Sequence, residues 1–255
     1  MPVLETRDLT IRFGGHVAVN AVSCAFEPGT LTAIVGPNGA GKTTYFNLIS
    51  GQLKASAGTV VFKDEDITGL GPDRRARLGL GRAFQLTNLF PNLSVFENVR
   101  LAVQARSGLG IDLFSMASSH HELTYKANLY LERVALSPKA ALKAAELPHG
   151  DQRKLEVALM LAVEPDVFMF DEPTAGMSVD QAPVILDLIE EIRQDRSKTI
   201  LLVEHKMDVV RRLADRVIVL HNGTLVADGE PAEVVASPVV QEAYLGVRQQ
   251  GGGHG

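Results

Sequence analysis

The alternation of apolar and polar positions predicts that the chain begins with antiparallel strands. Val3–Phe13 and Val17–Phe26 alternate on either side of Gly14-Gly15, which is typical of a β-hairpin. A third short strand is predicted at Gly58–Phe62. We therefore expect the N-terminal region to be an antiparallel β subdomain.

Continuous apolar runs predict a second, parallel sheet. Leu31–Val35, Val167–Phe170 and Thr199–Val203 lack the alternation of half-exposed strands, as is typical of strands buried on both faces. An amphipathic helix is predicted between the last two runs, at Gln181–Ile192. Near the end, Asn222-Gly223 separates two apolar runs and predicts a type I′ hairpin turn.

Helical spacing replaces strand patterns from about residue 94 to residue 160. The predicted helices are Val95–Ala105, Thr124–Val134 and Gln152–Leu161, and the stretch Ser107–His121, rich in Gly and Ser, is predicted to be a loop. We therefore expect an α/β core with an inserted α-helical subdomain. The predicted boundaries are 1–85 for the β region and first half of the core, 86–160 for the helical subdomain, 161–246 for the remaining core and 247–255 for a flexible tail.

Composition then limits the classes of function. The 255 residues, 45% of them hydrophobic, are enough to bury a core, and the net charge of −5 argues against nucleic acid as a partner. The single cysteine, Cys24, cannot form an internal disulfide or a cysteine metal cluster. Met1–Thr10 has no signal-peptide pattern, and no apolar run is long enough to span a membrane. We expect a cytoplasmic protein that reaches a membrane only through another polypeptide.

Residues 36–44 predict a phosphate-binding loop. Their sequence, Gly-Pro-Asn-Gly-Ala-Gly-Lys-Thr-Thr, has the spacing G-x-x-x-x-G-K-[ST] between a predicted strand and the predicted helix Thr44–Leu53. Glycines allow the backbone N–H groups to converge on an anion. Lys42 is expected to reach the β- and γ-phosphates of a nucleotide, and the Thr43 hydroxyl is expected to hold Mg²⁺.

Two acids directly follow a predicted buried strand. Asp171 is placed to hold Mg²⁺ through water, and Glu172 is placed to polarise an attacking water. The alternative interpretation is a solvated acidic turn before Pro173. The presence of a phosphate loop in the same chain favours the functional interpretation.

Three further segments lie where ligands gather in α/β folds or where helices begin. Gln85 ends a predicted strand, His205 follows the strand Thr199–Val203, and Leu147–Arg153 opens a predicted helix. Taken singly, Gln85 is also explained as a surface amide and His205 as a structural histidine.

The order of these motifs resembles the ATP-binding subunits of ABC transporters, over residues 3 to about 246. The resemblance is greatest to the ATPases of branched-chain (hydrophobic) amino acid and amide importers. The segments behind this are Arg12–Gly15, Gly36–Thr44 followed by Phe46-Asn47, Gly81–Gln85, Gly150–Glu156, Glu204–Met207 and Ala243–Gly246. The general resemblance to ABC ATPases also includes Phe168–Glu172 and Ala175–Asp180. The fold that this implies is the P-loop NTPase ABC cassette.

The resemblance implies a role for each matching residue. Phe13 would stack on the adenine of ATP, although a role in the strand core is the alternative. Gln85 would bind Mg²⁺ together with Thr43, with Asp171 behind them, Glu172 would be the general base, and His205 would orient the γ-phosphate and the water. The residues that would surround the phosphates are Asn38, Gly39, Ala40, Gly41, Lys42, Thr43 and Thr44.

The turn Pro148, His149, Gly150 and Asp151 corresponds to the family's signature motif. It would contact the ATP held by a second ATPase subunit, and Asp180 would cross the same dimer interface, or cap a helix, or do both. Most family members have serine where this chain has Pro148, which lacks a hydroxyl and an N–H group. The loss of that contact could cost roughly 1.5–3 kcal/mol, and His149 could compensate for it.

The function that follows is ATP hydrolysis that powers an importer of branched-chain or other hydrophobic amino acids, amides or urea. The expected partners are a second ATPase subunit, identical or homologous, the permease subunits in the membrane and, indirectly, a substrate-binding protein. The alternatives are the ATPase of an exporter or lipid extractor, a soluble ABC ATPase that transports nothing, and a module that binds ATP without turnover.

Overall fold

The computed structural model describes residues 1–82, 89–106 and 118–245. The chain forms two compact units. The first contains residues 1–72 and the chain from residue 201 onward, and the second contains residues 73–200.

The described strands and helices have the following bounds. The strands are β1 (Leu4–Phe13), β2 (His16–Phe26), β3 (Leu31–Val35), β4 (Ala57–Phe62), β5 (Glu65–Asp66), β6 (Leu80–Arg82), β7 (Val167–Asp171), β8 (Thr199–Val203), β9 (Arg216–His221) and β10 (Thr224–Gly229). The helices are α1 (Lys42–Ser50), α2 (Pro72–Leu78), α3 (Val95–Arg106), α4 (Ser118–Arg133), α5 (His149–Val163), α6 (Ala182–Gln194), α7 (Met207–Leu213), α8 (Pro231–Ala236) and α9 (Pro238–Leu245).

The first unit contains the predicted antiparallel subdomain. Its strands lie in the order β2-β1-β4-β5, and the β1–β2 hairpin closes at Phe13 and His16, around the predicted Gly14-Gly15 turn. The same unit holds the series β10-β9-β3-β8, in which β3 and β9 are parallel. Every residue of β3 is buried, as its uninterrupted apolar sequence predicts.

The helix after β3, α1, is held by a contact with β1 and ends at a glycine cap. Tyr45 on α1 is fully buried, and its hydroxyl lies 2.8 Å from that of Thr6 on β1. Burial raises the pKa of Tyr45 well above its usual value. Gly51 ends the helix in the left-handed conformation, with its N–H bonded to carbonyls of the last turn. The position of α1 is thereby set by β1.

The second unit contains the predicted helical block. Helices α3, α4 and α5 pack against one another, and β6 pairs with β7 in parallel. The apolar side chains that fill this core include Val99, Leu131, Leu155 and Phe170, which are fully buried. Helix α6 buries the face formed by Ile185, Ile189 and Ile192, as its amphipathic sequence predicts.

Some boundaries differ from the prediction. Helix α4 begins at Ser118, so residues 118–121 are helical although the sequence predicts a loop there. Helix α5 begins three residues earlier than predicted, directly after Pro148. Most of the predicted loop lies outside the described residues, as does the predicted tail 247–255, and the predicted domain boundaries stay predictions.

Over the described parts of the chain, no helix is both long and apolar enough to cross a membrane.

Candidate nucleotide-binding site

The phosphate loop is shaped by close backbone contacts that only glycine allows. At Gly36, with φ 151°, a Cβ atom would lie 2.2 Å from the carbonyl oxygen of Leu220. At Gly41, with φ 95°, it would lie 2.5 Å from the carbonyl oxygen of Ala18. Both contacts are shorter than atoms can approach, so the two glycines fix the path of the loop.

Lys42 lies inside this loop. Its Nζ donates to the carbonyl oxygens of Gly36, at 2.7 Å, and Pro37, at 3.0 Å, and the residue is only 8% exposed. The loop therefore curls around its own lysine, which holds a positive charge at the N-terminus of α1. Thr43 is exposed in the first turn of the helix. A helix N-terminus that is preceded by a glycine-rich loop and carries a lysine is suited to bind phosphate.

The turn between β9 and β10 forms part of the wall of the loop. The Gly223 N–H donates to the carbonyl of Ala40 at 3.0 Å, and the Asn20 N–H donates to the carbonyl of Gly223 at 2.8 Å. Asn222 and Gly223 have φ values of 48° and 76°. Two successive positive φ angles confirm the predicted type I′ turn.

His205 and Phe13 belong to the same unit as the phosphate loop. The Glu204 N–H lies 3.4 Å from the carbonyl oxygen of Ile34, so β8 and β3 end side by side. The side chain of His205 is 52% exposed, and Phe13 is 50% exposed. The alternative role of Phe13 in the strand core is therefore wrong, and its ring is available for stacking.

The two predicted acids lie in the second unit. Asp171 ends β7, and its Oδ2 accepts a hydrogen bond from Arg82 Nη2 at 3.0 Å. Glu172 follows with φ 47°, a left-handed conformation that is uncommon for residues other than glycine. Such strain costs about 1–3 kcal/mol and is concentrated at functional sites. The predicted role of Glu172 as a general base stays a prediction, as does the alternative of a solvated acidic turn before Pro173.

The signature turn is the N-terminus of α5. Pro148 is the N-cap residue, and its carbonyl accepts the N–H groups of Asp151 and Gln152, both at 2.9 Å. His149 is exposed, whereas Gly150 is buried. A Cβ atom at Gly150 would lie 2.1 Å from Oε1 of Gln181, so this side chain covers the turn.

Asp151 supports the turn from within. It is only 3% exposed, and its carboxylate pairs with Lys139 and lies 3.6 Å from Nζ of Lys154. Gln181 Nε2 lies 3.4 Å from the same carboxylate. Because the carboxylate is held by these groups, the predicted contact of Asp151 with nucleotide finds no side-chain support in the described contacts.

Asp180 is exposed and does not cap a helix. Helix α6 begins at Ala182, and Gln181 is its N-cap residue. The N-cap alternative is therefore wrong, although Pro183 does lie in the first turn as predicted. The predicted role of Asp180 at a dimer interface stays a prediction.

Gln85 lies outside the described residues, so its predicted role stays a prediction. Three residues near the site were not singled out from the sequence: Arg82, Lys139 and Gln181. Arg82 precedes Gln85 by three positions and could have been found as a buried charge in a strand. The other two carry no sequence signal, because only the fold brings them to the signature turn.

The sequence profile of the ABC transporter family matches residues 19–175. The chain belongs to the ABC transporter ATPases. A second profile, described as the branched-chain amino acid ATP-binding cassette transporter, matches residues 224–249 of the cassette.

Characterised relatives extend the match to nearly the whole cassette. The high-affinity branched-chain amino acid transport ATP-binding protein LivG of Escherichia coli is 38% identical over 250 residues, covering 96% of the cassette and 98% of the relative. The corresponding protein BraF of Pseudomonas aeruginosa is 36% identical over 251 residues, with the same coverage.

Solved structures agree with the fold. A nucleotide-free ATP-binding cassette of an ABC transporter superimposes with a TM-score of 0.80 at 30% identity, covering 96% of this cassette and 99% of that chain. The ADP conformation of another ATP-binding cassette gives 0.80 at 31% identity, with coverage of 97% and 100%. A dimeric post-hydrolysis cassette bound to ADP and Pi gives 0.76 at 26% identity, with coverage of 89% and 98%. The predicted ABC cassette fold and ATPase activity are confirmed.

Proposed function

We propose that the cassette supplies the energy of ATP hydrolysis to an importer of branched-chain amino acids. The observation that carries this proposal is the 38% identity over 96% of the cassette to a protein of branched-chain amino acid transport. The match of residues 224–249 to the branched-chain profile supports it from a separate part of the chain.

The residues of the cassette divide the chemical work. The phosphate loop binds the nucleotide, and Lys42 neutralises charge that develops on the transferred phosphoryl group. Glu172 accepts the proton of the attacking water, and His205 orients that water and the γ-phosphate.

Mg²⁺ is the metal that accompanies the nucleotide in this proposal, because the Thr43 hydroxyl and the Asp171 carboxylate are each an oxygen ligand of the kind that it prefers. When bound, Mg²⁺ would supply positive charge to the phosphate oxygens. Thr43 would hold it directly, as would Gln85, with Asp171 holding one of its waters.

The signature turn acts on the nucleotide of a second ATPase subunit. The N-terminus of α5 at His149 and Gly150 presents N–H groups and a positive dipole end to a phosphate. Pro148 cannot donate a hydrogen bond there. Pairing with a homologous subunit whose signature has the serine would give this chain's own nucleotide the contact that Pro148 cannot make, so we propose a heterodimer, with a homodimer of identical chains as the alternative.

The other partners are permease subunits, which hold the cassette at the inner face of the cell membrane, and a substrate-binding protein that delivers the amino acid to them. The cassette itself makes no contact with the transported amino acid.

Reconstitution tests the proposal. The cassette, its partner ATPase, the permease subunits and the binding protein would be placed in proteoliposomes, and uptake of radiolabelled leucine and phosphate release would be measured together. We expect leucine uptake that requires ATP and stops with Glu172→Gln, while Glu132→Gln, a change at an exposed glutamate, leaves uptake intact. ATP hydrolysis that is coupled to outward movement of lipid, or copurification with ribosomes, would contradict it.

A further inference from the structure

We propose that Arg82 is a positioning residue for the metal site: it holds the Asp171 carboxylate in the orientation that Mg-nucleotide requires. This inference rests on the role proposed above for Asp171, and it assigns a function to a residue that none of the family roles given above includes.

The geometry of β6 and β7 brings the two side chains together. The strands are parallel, with Arg82 opposite Met169, two residues before Asp171. The arginine side chain reaches along its neighbour strand, and Nη2 lies 3.0 Å from Oδ2 of Asp171. The Asp171 carboxylate therefore accepts a charge-assisted hydrogen bond of fixed direction at the end of β7, directly before Glu172.

Strand β6 has little freedom to move. A Cβ atom at Gly81 would lie 2.5 Å from Cγ of Pro165, and one at Gly79 would lie 2.4 Å from Oδ2 of Asp166. The Gly79 carbonyl also accepts the N–H groups of Asp166 and Val167, at 2.9 and 3.0 Å. The segment that precedes β7 thus fits against these two glycines, and the register that presents Arg82 to Asp171 is fixed.

Both side chains of the Arg82–Asp171 pair are largely buried. The side chains of Arg82 and Asp171 are only 6% and 16% exposed. A buried charge is tolerated when a partner of opposite charge is held in good geometry. A planar guanidinium fixes the rotation of a carboxylate, whereas a lysine ammonium supplies charge without that directional constraint. Arg82 therefore provides both charge and orientation to Asp171.

The experiment compares Arg82→Met and Arg82→Lys with Arg216→Met. Arg216 is a matched control, because it also forms an arginine–aspartate pair between neighbouring strands, with Nη2 2.5 Å from Oδ2 of Asp228, and neither residue is a predicted metal ligand. The readouts are the affinity of the isolated cassette for Mn²⁺ in the presence of ADP, followed by electron paramagnetic resonance, and the melting temperature.

We expect Arg82→Met to weaken Mn²⁺ binding about 10-fold, the size of one lost charge-assisted hydrogen bond, and Arg82→Lys to recover part of the loss. Arg216→Met should lower the melting temperature and leave Mn²⁺ binding unchanged. In the assembled complex, Arg82→Met should raise the Mg²⁺ concentration for half-maximal hydrolysis more than it lowers the maximal rate.

A merely structural role predicts a different result. If Arg82→Met lowers the melting temperature but leaves Mn²⁺ affinity unchanged, the inference is wrong. If Arg82→Met does not fold, the metal affinity of Arg82→Lys is the test. Wild-type Mn²⁺ affinity in a folded Arg82→Lys protein would show that the guanidinium is not needed to orient the Asp171 carboxylate, and the inference would then be wrong. Because metal binding is measured on the isolated cassette, this outcome is independent of whether the complex imports amino acids.

Discussion

The phosphate loop and the signature turn are both anion-binding helix N-termini, but they are held in different ways. The loop is fixed by backbone contacts, since Gly36 and Gly41 leave no room for a side chain and Lys42 is bound by carbonyls of its own loop. The signature turn is fixed by side chains, with Gln181 over Gly150 and two lysines around Asp151.

This difference separates what the cassette does alone from what it does with a partner. A site shaped by its own backbone is ready to bind nucleotide in the isolated cassette, whereas the signature turn meets a nucleotide only when a second subunit brings one. We therefore expect changes in the phosphate loop to lower nucleotide affinity, changes in the signature turn to alter dimer formation, and a change at Glu172 to lower turnover.

The largest effect is expected from Glu172→Gln, which separates turnover from binding most sharply. Loss of a general base should lower ATP hydrolysis by the assembled complex by about 10²- to 10⁴-fold, because the water is no longer activated. Phosphate release measures this, and nucleotide affinity of the isolated cassette should be unchanged. Light scattering of the variant with Mg-ATP would also show whether identical chains form a closed dimer.

Glu132→Gln is the control, since Glu132 is an exposed carboxylate on α4. If hydrolysis survives in Glu172→Gln but not in Glu132→Gln, Glu172 is not the general base.

Lys42→Ala should weaken nucleotide binding, which Glu172→Gln is expected to leave unchanged. The loss of one charge-assisted contact corresponds to about 1.5–3 kcal/mol, or a 10- to 100-fold higher Kd for ATP. Fluorescent nucleotide titration of the isolated cassette measures it. Lys54→Ala removes an exposed lysine beyond the same helix and should leave Kd unchanged. Equal affinities in the two variants would contradict a binding role for Lys42.

Pro148→Ser should strengthen the weaker of the two anion sites. The hydroxyl would add a donor to the partner's phosphate, and we expect dimers formed by Glu172→Gln with Mg-ATP to become about 10-fold tighter. Sedimentation equilibrium measures the dimer constant. Pro148→Ala removes the ring without adding a hydroxyl, so an equal gain with alanine would show that the hydroxyl is not the cause.

The smallest effect concerns the covering side chain. Gly150→Ala should lower the free energy of unfolding by about 1 kcal/mol through contact with Gln181, and Gln181→Ala should relieve most of that loss. Gly71→Ala is the control, because a Cβ atom there meets no atom within 4 Å. Thermal unfolding of Gly150→Ala, Gln181→Ala, their double variant and Gly71→Ala measures the coupling between positions 150 and 181. Additive changes in the free energy of unfolding would contradict that coupling.

The sequence predicts the first region better than the second, for a physical reason. The phosphate loop can be recognised in the sequence, because its backbone geometry requires glycine at two positions of fixed spacing, Gly36 and Gly41. The support of the signature turn depends on Lys139 and Gln181, which lie far from it along the chain and become neighbours only through the packing of helices.

The contact of Gly223 with the phosphate loop has a consequence for protein synthesis. Strand β3, which carries the loop, pairs with β9, and the Gly223 N–H binds the carbonyl of Ala40. Both partners are made long after the loop itself, so a nascent chain that has left the ribosome only as far as β7 lacks the wall that sets the loop. We expect the emerging polypeptide to bind ATP only after its C-terminal hairpin is free to fold against the loop.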